Sequence, residues 1–187
     1  YLVPMAQGKT FGSFGLTEPN AGSDAGGTRT KAYLDGDEWV INGEKCWITN
    51  ASYARQVVVT AVTGQDERGK NIITAIIVPT DTPGVTIRSE YQKMGVRASN
   101  TCEIVLENVR VPKENILGDE KKGFGQFLNT LDGGRISIAA LSVGIAQSAF
   151  EKALQYSKER VQFGQSISKL QAIQFKLADM AMEIELA

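Results

Sequence analysis

Phe14-Gly-Leu-Thr-Glu-Pro-Asn-Ala-Gly-Ser-Asp24 opens as a short apolar strand and becomes a loop, and the rest of the chain takes its meaning from it. Pro19 fixes its own φ and pushes Glu18 towards extended backbone, while Asn20 and Gly22 tolerate positive φ. Consecutive N–H groups in such a turn converge on an anion, and Thr17 and Ser23 add hydroxyl donors. The stretch therefore reads as an anion cradle at a strand end, suited to a phosphate, with an ordinary Asx/Ser-rich turn as the alternative.

At 187 residues the chain fits one large or two small domains with a real core. Its 20 basic residues are nearly matched by 21 acidic ones, so nothing in the charge favours nucleic acid. No apolar run approaches the roughly 20 residues that span a bilayer, and no signal-peptide pattern is present. Cys46 and Cys102 match no metal-ligand spacing and read as free thiols in a reducing compartment. Histidine is absent, which excludes Ser-His-Asp and Cys-His catalysis and most zinc sites. The chain starts at Tyr1 and stops at Ala187 inside a helical pattern, so a segment of a longer protein is expected.

Residues 1–115 carry strand signals. Thr28 to Leu34 alternates, Asp35-Gly36 marks a turn, and Asn42-Gly43 between Trp39–Ile41 and Glu44–Thr49 predicts a hairpin. Two residues apart, Trp47 and Thr49 are placed on one face. Gln56 to Val62 and Ile72 to Val78 are rich in β-branched residues, with a solvated turn at Gln65 to Lys70. Gly118 to Gly123 reads as a charged connector, and from there the period becomes helical. Ile136, Ala139, Ala140, Val143, Gln147, Phe150 and Leu154 form one stripe, and Leu170, Ile173, Leu177, Met180 or Ala181, and Ile184 another. The fold class predicted is α+β: an antiparallel sandwich or barrel-like domain over 1–115, then long antiparallel helices of an incomplete bundle over 116–187.

With Trp47-Ile48-Thr49, the opening stretch resembles the flavin-binding signature of the acyl-CoA dehydrogenases. The resemblance continues through Lys93-Met-Gly-Val-Arg97, Leu131-Asp-Gly-Gly-Arg135, Arg160-Val-Gln-Phe-Gly164 and Leu177-Ala-Asp-Met180. It implies the middle β-domain and about half of the C-terminal helical domain of a FAD-dependent enzyme of fatty acid β-oxidation. Such an enzyme dehydrogenates an acyl-CoA between Cα and Cβ and passes electrons to electron-transfer flavoprotein. It also implies a homotetramer, cytoplasmic in a bacterium and in the mitochondrial matrix of a eukaryote.

By the same resemblance, Phe14, Leu16 and Thr17 line the isoalloxazine, Gly22 and Ser23 meet the FAD pyrophosphate, and Trp47, Ile48 and Thr49 cover the ring near N5. Arg160, Gln162, Phe163 and Gln171 reach the FAD of a neighbouring subunit. Ser23, Asp132 and Arg135 meet the CoA moiety. For Trp47 the bland alternative is a core tryptophan, and for Asp132 with Arg135 an intrahelical ion pair. Glu18, next to Pro19 in the signature loop, reads as structural rather than as a base. Most of the family carries its catalytic glutamate far towards the C-terminus, and a minority place it where Gly134 stands here. The resemblance is thus to a short-chain or butyryl-type member whose base lies outside this chain, so the segment alone is expected to be inactive. Two other readings share these residues: an acyl-CoA oxidase or nitroalkane oxidase on the same scaffold, and a non-catalytic assembly module.

Overall fold

The computed structural model describes residues 1–187, which divide into two compact units, Tyr1–Asn129 and Thr130–Ala187. In the first, the short helix α1 (Leu2–Ala6) precedes β1 (Phe11–Gly15), β2 (Lys31–Asp35), β3 (Glu38–Thr49), β4 (Ala54–Gln65), β5 (Asn71–Pro79), β6 (Val85–Ile87) and β7 (Thr101–Pro112). The alternation expected over Thr28–Leu34 is realised as far as Tyr33 and lapses at Leu34, which is exposed. Thr28, Thr30 and Ala32 are buried while Arg29, Lys31 and Tyr33 face solvent, as the two-residue repeat of a strand requires. Gly36, at φ 65, closes the turn that pairs Asp35 with Glu38. Between β4 and β5, the Asp66 carboxylate accepts the N–H groups of Arg68 and Lys70 and shapes the charged turn.

All seven strands join one sheet of mixed direction. β2–β3, β3–β7, β6–β7 and β4–β5 pair antiparallel. β1 and the first residue of β2 instead run parallel to β4, side by side along it. Antiparallel pairing was the expectation for the whole domain. The two parallel contacts arise because β1 and β4 are joined through the β2–β3 hairpin, and such a crossover lets parallel strands meet. A single core of Trp39, Ile41, Ile48, Val57, Val59, Ile76, Val78, Ile104, Leu106 and Val111 gathers residues from β3, β4, β5 and β7.

The hairpin predicted at Asn42-Gly43 does not form. β3 passes through both residues as one strand, and its register against β7 shifts between Ile41 and Gly43. Glycine is needed there for closeness rather than for a turn, since a Cβ would lie 2.7 Å from the Thr30 Cα. Asn42 accepts the Asn108 N–H at 2.8 Å across the irregularity. Asn-Gly therefore marks a bulge in a long strand.

The helix α2 (Gly123–Glu159) runs for 37 residues without a break at Gly133-Gly134. In the second unit, β8 (Val161–Gln162) and β9 (Gln165–Ser166) form a small hairpin with Phe163 and Gly164 at its tip, both at positive φ. The hairpin returns the chain to α3 (Gln171–Leu186). Val143, Phe150 and Leu154 of α2, and Ile173, Leu177 and Ile184 of α3, are half-buried. Ile136, Ala139, Ala140 and Gln147 from the same predicted stripe are exposed.

Candidate functional site

The signature loop is pinned from within. Glu18 and Ala21 exchange N–H···O bonds across Pro19-Asn20, and the Glu18 side chain turns into the protein. Its carboxylate accepts bonds from the Thr28 hydroxyl, from the Arg29 N–H at 2.6 Å and from the Thr30 N–H at 3.1 Å. Lys45 Nζ lies 2.7 Å from Glu18 Oε1, and also donates to Thr60 Oγ1 at 2.9 Å and to the Leu16 carbonyl at 3.3 Å. Burial alone raises the Glu18 pKa, but the Lys45 charge and the converging donors outweigh it and hold the group at about 2. Burial draws Lys45 down to about 8 against the pull of Glu18. A carboxylate so occupied is no base, in keeping with the structural reading of Glu18.

With Glu18 facing inward, Gly22 and Ser23 are left on the outside. Both are exposed, and a Cβ on Gly22 would meet nothing within 4 Å. A ligand can approach the backbone there. Further back, Phe14 packs against Phe127 with ring centroids 4.2 Å apart. Leu16 is buried and Thr17 half-buried.

Two hydrogen bonds set this loop beside β3. The Cys46 N–H donates to the Thr17 carbonyl at 2.9 Å, and Ser13 Oγ donates to the Thr49 carbonyl at 2.9 Å. A second register shift lies between Lys45 and Ile48, and Trp47 within it has φ 59. Positive φ at so bulky a residue is an outlier of the kind that gathers at functional sites. The twist leaves Trp47 60% exposed, so the alternative of a core tryptophan does not hold. Trp47 and Thr49 both face outward with Ile48 buried between them. Of the three, Ile48 can offer a ligand only its backbone.

Sequence reasoning missed Tyr91, whose ring stacks on Trp47 at 4.2 Å with 25° between planes. Its backbone N–H bonds the Thr101 carbonyl, and its hydroxyl bonds Glu103 at 2.5 Å. Burial, then the bond and charge of Glu103, push the Tyr91 phenol well above its usual range. No periodicity or motif links these positions, which are 44 residues apart in sequence. Lys45 was missed for a similar reason: a lysine within an apolar strand does not name its partner.

In the second unit, Arg135 Nη1 lies 2.6 Å from Asp132 Oδ1 on the exposed face of α2. Gly133 and Gly134 have open space where a side chain would stand. Leu131, Gly134, Arg135, Ile138 and Ala139 border a shallow hollow. Arg160 follows the end of α2 and accepts the Ile167 N–H on its carbonyl. Gln162 lies in β8, Phe163 is 89% exposed at the hairpin tip, and Gln171 is exposed at the first turn of α3.

Residues 13–109 match the acyl-CoA dehydrogenase middle domain and residues 121–187 the acyl-CoA dehydrogenase C-terminal domain. A probable acyl-CoA dehydrogenase of Bacillus subtilis is 74% identical over the whole chain, which covers 49% of that protein. The structure of butyryl-CoA dehydrogenase from Megasphaera elsdenii superposes with a TM-score of 0.93 at 49% identity, covering 100% of this chain and 49% of that one. A glutaryl-CoA dehydrogenase from Mycobacterium smegmatis in complex with FADH2 gives 0.90 at 38% identity, covering 98% of this chain and 46% of that one. The chain thus spans about half the length of the curated relatives it matches. No helix is long and apolar enough to cross a membrane. With the loop, the tryptophan strand and both domain matches in agreement, the chain belongs to the acyl-CoA dehydrogenase family.

Proposed function

We propose that this chain forms the flavin-binding and part of the CoA-binding surface of an acyl-CoA dehydrogenase acting on short acyl chains. The observation that carries the proposal is a signature loop bonded to β3 through Thr17 and Cys46, with Gly22 and Ser23 exposed on the loop and a left-handed, exposed Trp47 on the strand. These residues fit a nucleotide-bearing flavin. The loop N–H groups and the Ser23 hydroxyl suit pyrophosphate oxygens, Phe14, Leu16 and Thr17 suit one edge of a planar ring, and Trp47 with Thr49 suits the other. When bound, FAD supplies the two-electron acceptor for oxidation of the Cα–Cβ bond.

The chain's own residues then bind and orient. Leu16, packed in the core, and Thr17, tied through its carbonyl to Cys46, provide a floor that does not shift with ligand. Trp47 excludes water from the ring edge. Asp132 and Arg135 engage polar groups of CoA, and Gly133-Gly134 lets the ligand lie against the helix backbone. A hollow of about 820 Å³ reaches Gly26 and is bordered by Arg68, Lys70 and Lys121, with Asp66 and Glu67 also on its wall. Its cations suit the phosphate-bearing end of CoA. Arg160, Gln162, Phe163 and Gln171 serve the cofactor of a second copy, so the active form is an oligomer. Electron-transfer flavoprotein is the acceptor expected from the family, and a functional boundary near residue 115, inside the first compact unit, sets flavin-binding strands apart from subunit-bridging helices.

FAD titration into the purified protein tests the proposal. Binding should perturb the flavin visible band and quench tryptophan emission, and Trp47→Ala should remove most of the quenching. An unperturbed flavin spectrum at saturating protein would defeat it, and sedimentation of a FAD-saturated monomer would defeat the shared-site part.

A further inference from the structure

Resting on the flavin reading, we infer that Tyr91 is a positioning residue for the cofactor, acting through Trp47. The left-handed backbone of Trp47 breaks the strand geometry that would otherwise fix the direction of its side chain, so the indole needs a support from elsewhere. Tyr91 is the aromatic ring in contact with it, nearly parallel and at stacking distance.

The support is itself braced at both ends. The Tyr91 N–H bonds the carbonyl of Thr101, the residue paired with Thr49 across β3 and β7. Its hydroxyl bonds Glu103, which accepts Arg88 Nη1 at 2.8 Å, and the same guanidinium atom reaches Glu44 at 3.1 Å. The chain from Glu44 through Arg88, Glu103 and Tyr91 to Trp47 thus starts and ends on β3. It fixes the ring without occupying the outward side of Trp47, which stays largely exposed. Tyr91 touches neither cofactor nor substrate in this scheme. Its effect is to narrow the orientations from which Trp47 meets a planar ligand, lowering the conformational entropy lost on binding.

Three variants separate the possibilities: Tyr91→Ala, Tyr91→Phe, which keeps the ring, and Tyr91→Leu, which keeps bulk without the stack. In flavin-free protein, time-resolved anisotropy of tryptophan emission should show fast indole motion in Tyr91→Ala and Tyr91→Leu, with Tyr91→Phe close to wild type. FAD affinity should weaken about three- to tenfold in the first two, the range expected for loss of one aromatic pair. Visible circular dichroism of the bound flavin should change in parallel at saturation, a signature that general loss of stability does not produce. Unchanged anisotropy, or altered anisotropy with unchanged FAD affinity and flavin dichroism, would overturn the inference. Failure of wild type to bind FAD overturns it together with the flavin reading, whereas wild-type binding with unaffected variants sinks the Tyr91 role alone. If Tyr91→Ala does not fold, Tyr91→Leu carries the same comparison.

Discussion

Lys45 Nζ and Glu18 Oε1 lie 2.7 Å apart with both side chains shut away from solvent, fastening the signature loop to β3. Removing one partner leaves an uncompensated charge in the interior. Lys45→Met should destabilise the protein by about 3–5 kcal/mol. The double variant Lys45→Met/Glu18→Gln should recover much of that loss, because no bare charge remains. Urea melts of the two single variants and the double variant measure the coupling; additive losses would show that the pair does not act as a unit.

The same pair sets a pH dependence. Glu18 falls from an ordinary 4.5 to about 2 in the folded protein, so the unfolded chain binds this proton more tightly. Stability from Glu18 is therefore complete above pH 4.5 and is lost as pH falls towards 2. The urea midpoint should drop between pH 5 and pH 3, and Glu18→Gln should flatten that part of the profile. A slope identical in wild type and Glu18→Gln would assign the acid sensitivity to other carboxylates.

Gly133 and Gly134 sit inside α2 with nothing near their missing side chains. Gly134→Ala should then stabilise the fold by about 0.5–1 kcal/mol through lower entropy of the unfolded chain. If the glycine leaves space for ligand, the same change should weaken acyl-CoA binding, read by calorimetry. A gain in stability with no loss of affinity would make Gly134 an incidental weakness of the helix.

Arg135 bonds Asp132 on an open helix surface, where such pairs add little to stability. Arg135→Ala should leave the melting temperature within about 2 °C of wild type while raising KM for acyl-CoA in the complete enzyme. A large melting shift with unchanged KM would return the pair to the role of a helix staple.

Much of the first unit was legible because burial writes itself in strands as a two-residue rhythm, as at Thr28–Tyr33, and because the Asp35-Gly36 and Gln65–Lys70 turns join strands adjacent in sequence. The Asn42-Gly43 reading failed for an instructive reason: the dipeptide favours a type I′ turn locally, but pairing with β7 keeps β3 continuous through a bulge, and the glycine answers crowding by Thr30. Parallel contact of β1 with β4 depends on the path of the whole chain and leaves no local mark. At the site, the loop and Trp47 came from motif resemblance. The left-handed turn of Trp47, the ring of Tyr91 beneath it and the Lys45 bond are products of tertiary contact.

The two register shifts in β3 give Lys45 an inward and Trp47 an outward station within three consecutive residues. Parity along this strand works like the reading of a ratchet, in which spacing matters more than the identity of each tooth. A single exchange such as Lys45→Met strikes one station, but inserting or deleting a residue just ahead of Lys45 would turn the ammonium towards water and the indole towards the core together.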